Sequence, residues 1–130
     1  MVEYLSTQWC EKAGEALRKG LDPETMKFIT TSVTYTYNNC SDGGTKFFYM
    51  KCLNGIVEEA QVGSGEGPAA EFQIIGNYEL FAQLSQGIIS SHKALMSGRL
   101  KVKGNMVKAL KLASLADRIN KTLSAIDTKY

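Results

Sequence analysis

Long apolar runs are absent: no stretch approaches the roughly 18 residues that would mark a membrane-spanning helix. Histidine is scarce. His92 is the only one, so a serine or cysteine nucleophile would have one imidazole to activate it, and no nucleophile-elbow pattern surrounds it. It lies among polar residues and reads as a solvated surface group. The three cysteines, Cys10, Cys40 and Cys52, have no CxxC spacing, which argues against a zinc site and a disulfide framework. They read as small buried hydrophobes in a reducing compartment. Met1-Val2-Glu3-Tyr4 has neither the basic nor the apolar region of a signal peptide, so the expected address is cytoplasmic. Repeats and low-complexity tracts are also missing.

What is present is ordinary for a globular chain: 130 residues, 44% hydrophobic and 22% charged, enough for one domain over 1–130 with a sizeable core. The formal net charge of +2 hides an asymmetry. Residues 1–86 carry 6 Lys/Arg against 11 Asp/Glu, a net of −5, and residues 87–130 carry 9 against 2, a net of +7. A basic C-terminal third can face anionic lipid headgroups, nucleic acid or the acidic part of its own fold. Nucleic acid is the weakest of these. No helix-turn-helix, zinc finger or RNA-recognition motif frames the cations, and the aromatic residues concentrate in the acidic part, away from them.

No catalytic set assembles. Glu58 and Glu59 are neighbours on an expected strand and point to opposite faces, so they do not converge as an acid–base pair. Gly63, Gly65 and Gly67 alternate as in a phosphate cradle, but Pro68 leads into a strand where such a site needs a helix N-terminus. That run reads as a flexible strand connection. No enzyme activity, cofactor or metal is expected.

Periodicity supplies the elements. Leu5, Trp9, Ala13, Ala16 and Leu17 draw one helical stripe that ends at Arg18-Lys19-Gly20. Asp22-Pro23-Glu24 resembles an N-cap followed by proline at the first helical position, a short turn of helix. From Thr31 to Val62 the pattern switches to period two, with a turn cluster at Asn38–Gly44 and a two-residue hairpin signal at Asn54-Gly55, giving a three-stranded meander. A fourth strand is expected at Ala69–Ile75. Asn77 can cap a helix carrying Leu80, Phe81 and Leu84 that Gly87 closes, and Ser90 or Ser91 a short helix with Leu95 and Met96. Arg99–Lys103 alternates as a short strand, and Asn105 opens a last helix to about Ile126. On that helix Met106, Val107, Leu110 and Ala113 cover one face, while Leu112, Leu115, Ala116, Ile119, Leu123 and Ile126 cover another. Either it breaks near Ala113-Ser114 or its two halves meet different apolar surfaces.

The run Leu95-Met96-Ser97-Gly98-Arg99-Leu100-Lys101-Val102-Lys103-Gly104-Asn105-Met106, followed by Ala109-Leu110-Lys111-Leu112, resembles the signature of the sterol carrier protein domain family, also called the non-specific lipid-transfer family. The match covers about Asn77 to Leu115; residues 1–76 agree in element order. The resemblance implies an α+β fold, a five-stranded, mostly antiparallel sheet with helices packed on one face enclosing an apolar tunnel. It implies non-catalytic binding of fatty acids, acyl-CoA, phospholipids or sterols; the alternative is an accessory interaction module that kept the fold and lost the tunnel. Thr128-Lys129-Tyr130 is not a peroxisomal address. With the tunnel as frame, Phe72, Ile74, Phe81, Leu84, Ile88, Leu95, Met96, Leu100, Val102, Met106 and Leu110 are the expected lining. Lys101, Lys103, Lys108 and Lys111 are the cations expected to face an anionic headgroup or membrane surface.

Overall fold

Five strands form one mixed sheet in the computed structural model, which describes residues 2–40 and 43–129, and describes positions 110, 111, 113 and 114 by their backbone alone. In chain order the elements are β1 (Val2–Glu3), α1 (Thr7–Gly20), β2 (Thr31–Asn38), β3 (Lys46–Leu53), β4 (Ile56–Ser64), β5 (Phe72–Asn77), α2 (Tyr78–Ser85), α3 (Ser91–Met96), β6 (Lys101–Lys103), α4 (Met106–Ser124) and β7 (Thr128–Lys129). The sheet runs β4-β3-β2-β5-β6. Its pairs are antiparallel except β2–β5, which is parallel. Outside it, β1 and β7 pair over two residues, with the Val2 amide donating to the Asp127 carbonyl at 3.1 Å.

Local chemistry accounts for most of these elements. Ser6 caps α1, its Oγ accepting from the Trp9 amide at 3.1 Å, and the helix buries Trp9, Cys10, Ala13 and Leu17. Leu5, expected on the helix, sits just before it with φ +65 and is buried nonetheless. Asn54 and Gly55 both have positive φ, the geometry that lets a two-residue turn follow strand twist. Residues 22–29 make hydrogen-bonded turns in place of the expected turn of helix: Asp22 Oδ1 accepts from the Thr25 amide at 2.6 Å, and Lys27 and Phe28 adopt positive φ. Asn77 stands at the N-cap of α2 but makes no capping bond. Its Oδ1 accepts from Asn39 Nδ2 at 3.1 Å, tying β5 to the end of β2. Ser90 and Asn105 do cap α3 and α4.

On β2, Val33, Tyr35 and Tyr37 share one face with Phe48 and Met50 of β3 and Phe72 and Ile74 of β5, as the register requires. The helices cover this face. Trp9 meets Phe48 edge-on at 5.3 Å between ring centroids, and Phe81 of α2 meets Tyr37 at 4.4 Å. The other face is not open along its whole width, because the β4–β5 connection crosses it. Thr34 is buried there, its Oγ1 donating to the Pro68 carbonyl at 2.7 Å. A Cβ at Gly67 would lie 2.7 Å from both Phe47 and Thr34, and one at Gly63 would lie 2.5 Å from Phe47. These two glycines are there for close packing, so the glycine-rich run is a fitted crossing and not simply a flexible connection.

Helix α4 is unbroken from Met106 to Ser124. Leu115, Ile119 and Leu123 are buried, whereas Met106 and Val107 face solvent. Of the two apolar faces read from the sequence, one lies against the core; on the other Met106 and Val107 are exposed, and the Leu110 and Ala113 side chains lie outside the described residues.

Candidate functional site

Between the helix-covered face of the sheet and the pair α3–α4 lies a cavity of about 90 Å³. The sheet contributes its floor: Thr31, Val33 and Tyr35 from β2, Met50 and Cys52 from β3, Phe72 and Ile74 from β5, and Val102 from β6. Strand alternation puts these on one side, and pairing lines them up across it, Val33 opposite both Met50 and Phe72, Ile74 opposite both Tyr35 and Val102. Met26 and Ile29 close one flank from the turn before β2. Ser91 and Leu95 of α3, Leu100, and Ala109, Leu112, Leu115, Ala116 and Ile119 of α4 complete the wall. On α4 the small residues Ala109 and Ala116 let the helix cross without filling the space beneath it.

Among the described residues, the polar and ionisable groups on this wall are neutral or already engaged. Burial pushes the Cys52 thiol up to about 11 and the Tyr35 phenol well above its ordinary range, so both stay protonated near neutral pH. Ser91 is held to α4, its amide donating to Asp117 Oδ1 at 2.5 Å and its Oγ accepting from Asn120 Nδ2 at 2.7 Å. Thr31 Oγ1 donates to Glu71. Lys108 Nζ reaches the same carboxylate at 2.8 and 3.0 Å and lies 5.9 Å from the centroid of the Phe72 ring. These hydrogen bonds hold the Glu71 carboxyl below its usual value. Among the described residues the site is thus an oil-like space with a few neutral or engaged polar groups at its edge, suited to enclosing an apolar chain.

Of the residues expected to line a tunnel, Phe72, Ile74, Leu95, Leu100 and Val102 border this cavity. Phe81 and Leu84 do not. They are buried in the core, Phe81 within an aromatic cluster with Tyr35 and Tyr37. Ile88, Met96 and Met106 are exposed and not part of the wall. Ile88 lies beyond the end of α2, α3 turns Ala94 inward in place of Met96, and the exposed Met106 stands on the N-terminal turn of α4, before the run that faces the sheet. The Leu110 and Lys111 side chains lie outside the described residues. Lys101 and Lys103 are exposed on β6, on the face opposite Val102, while Lys108 is paired with Glu71. The residues not anticipated are Met26, Ile29 and the inward side chains of β2 and β3, together with the stripe from Ala109 to Ile119. Of that stripe, Leu112, Leu115, Ala116 and Ile119 belong to a face the helical period shows, but Ala109 does not, and nothing local says that the face overlies a gap.

The model of the SCP-2 sterol transfer family matches residues 16–117. The chain is 30% identical over 116 residues to the human protein named hydroxysteroid dehydrogenase-like protein 2, a match covering 87% of this chain and 26% of the relative. It therefore spans about a quarter of that protein's length. It is 29% identical over 100 residues to non-specific lipid-transfer protein-like 1 of Caenorhabditis elegans, covering 77% of this chain and 81% of the relative. A crystal structure of sterol carrier protein 2 superposes with a TM-score of 0.83 at 17% identity, over 95% of this chain and 99% of that one. With the family model matched over most of its length and the same fold in a solved member, the chain belongs to the SCP-2 sterol transfer family.

Proposed function

We propose that this domain binds a lipid by its apolar part in the cavity between the sheet and α4, and carries it without chemical change. The observation that carries the reading is the wall itself, apolar side chains from six elements around a space that, among the described residues, no ionised group enters. At about 90 Å³ that space holds only a few methylenes, since an engineered cavity of about 150 Å³ takes one benzene. A full acyl chain thus requires α3 and α4 to lift from the sheet and extend the cavity into a tunnel. Burying about ten methylenes supplies roughly 8 kcal/mol before ordering costs, which sets micromolar affinity as the natural scale. Discrimination among chain lengths is then weak.

Fatty acids, acyl-CoA, phospholipids and sterol-like molecules all fit this description. The name of the C. elegans relative is consistent with it. Lys101 and Lys103 are offered as contacts to an anionic headgroup or membrane surface, with Lys108 available once it leaves Glu71. The cytoplasm is the proposed compartment, supported by three cysteines without the spacing of a disulfide framework. A second reading, an accessory module presenting substrate to a separate catalytic domain, is favoured by the human relative, of which this domain matches only 26%.

Native mass spectrometry of gently purified protein, followed by organic extraction and titration with a fluorescent fatty acid, tests the proposal. Co-purifying lipid, or saturable uptake at micromolar concentration, is expected. A monodisperse protein that neither carries nor accepts any of these lipids overturns it.

A further inference from the structure

Thr31, Phe72 and Ala109 border the cavity from three different elements, and one ion pair stands beside all three. Glu71 precedes Phe72 in the chain and accepts from the Thr31 hydroxyl. Lys108 precedes Ala109, and its ammonium lies 5.9 Å from the centroid of the Phe72 ring. The backbone holds both in place. The Glu71 amide donates to Ser32 Oγ at 2.9 Å, and the Lys108 amide to Asn105 Oδ1 at 3.1 Å. A Cβ at Gly104 would lie 2.9 Å from the Glu71 carbonyl oxygen and 2.8 Å from the Phe72 ring, so the turn into α4 is seated directly on this segment. The Glu71 and Lys108 side chains are 42% and 41% exposed, whereas Met26 and Ser91, elsewhere on the wall, are 1% and 8% exposed. The pair therefore marks a polar edge where the cavity meets water, and an apolar chain held inside can leave its head there.

The Glu71 carboxyl is held below its usual value, so both partners are ionised near neutral pH and their charges cancel. A hydroxyl head can donate to a Glu71 oxygen and leave the pair intact. A carboxylate head gains Lys108 only by drawing it off Glu71, which then stands unpaired beside the entering anion. A lone cationic head meets the converse. Unpaired charge raised against the wrong ligand is a device of specificity. We infer that Glu71 and Lys108 select the head of the bound lipid: uncharged, hydroxyl-bearing heads are accepted, singly charged heads are disfavoured, and Glu71 is the residue that turns carboxylates away. This rests on the lipid-carrier reading above and adds the class of head to it.

The test is isothermal titration of the full chain with two lipids of one chain length, dodecanoate and 1-monododecanoylglycerol, at neutral pH and low salt. The quantity read is the dissociation constant for the acid divided by that for the glyceride. In wild type this ratio is expected above one. Glu71→Gln frees Lys108 and is expected to lower it about fivefold, the upper end for a partly exposed pair. Lys108→Gln leaves Glu71 alone and is expected to raise it about twofold or more. Glu71→Gln/Lys108→Gln is neutral again and is expected to return it to within about twofold of wild type, as is Lys12→Gln on α1. Circular dichroism is expected to be unchanged throughout. A wild-type ratio at or below one, or Glu71→Gln within about twofold of wild type, overturns the inference. So does a double variant that keeps the low ratio of Glu71→Gln, because a broken tie between α4 and the sheet, and not charge, would then be acting. Uptake of both lipids with an unmoved ratio removes the selector and leaves the carrier; uptake of neither removes both.

Discussion

Val33→Phe fills the cavity from a position that leaves the new side chain no other direction. Val33 is buried in β2, on the helix-covered face, between Met50 and Phe72 in the paired strands. The ring occupies the place of about four methylenes of a bound chain, each contributing roughly 0.8 kcal/mol, so affinity for a fatty acid should fall by about 3 kcal/mol, roughly two-hundredfold. Stability of the ligand-free protein should move the opposite way. A void of about 90 Å³ costs up to about 2 kcal/mol at roughly 24 cal/mol per Å³. Filling it recovers part of that, less the strain of any imperfect rotamer. The variant is thus expected to melt at or above the wild-type temperature while losing its ligand, a combination that general damage to the fold does not produce. Thermal unfolding by circular dichroism and titration with a fluorescent fatty acid on one preparation read both quantities. A folded variant that keeps wild-type affinity within about threefold would refute the assignment of this space as the ligand site.

Three further outcomes follow from the geometry. Glu71→Gln breaks an exposed ion pair and should cost less than about 1 kcal/mol. Because the folded carboxyl is held below its free value, its contribution is present above the unfolded pKa near 4.3 and disappears as pH falls through the lower folded value, so urea unfolding between about pH 3 and 6 should show wild type losing stability that the variant never had. Gly67→Ala places a methyl against Phe47 and Thr34 and should destabilise by about 1–3 kcal/mol; the added Phe47→Leu should return part of it, and strict additivity in denaturant melts would show that the crossing is not packed there. Cys52, buried with its thiol raised to about 11, should react with iodoacetamide only when the cavity opens; mass spectrometry should find labelling slow near neutral pH and slower with fatty acid bound, and labelling indifferent to ligand would place opening elsewhere.

Features of the fold set by neighbours in the chain were legible in advance. Asn54-Gly55 announces its turn because both residues tolerate positive φ, and Thr31 to Asn38 announces a strand because apolar and hydroxyl residues alternate. The parallel pairing of β2 with β5 was not visible, since it depends on a crossing of the sheet roughly forty residues later in the chain. The cavity follows the same division. Leu95, Leu100 and Val102 belong to the run that carries the family resemblance, so their place followed from it. Met26 and Ile29 come from a turn whose course is fixed by Lys27 and Phe28 at positive φ, an arrangement that neither residue's type prefers. Met96 and Met106 share the apolar character of their neighbours, and only the packing shows that they point away.

The short ladder between β1 and β7 brings the first and last strands of the fold to the same spot, with Val2 beside Thr128. A fold whose first and last strands lie side by side can be spliced into a loop of a larger host without stretching any of its own segments.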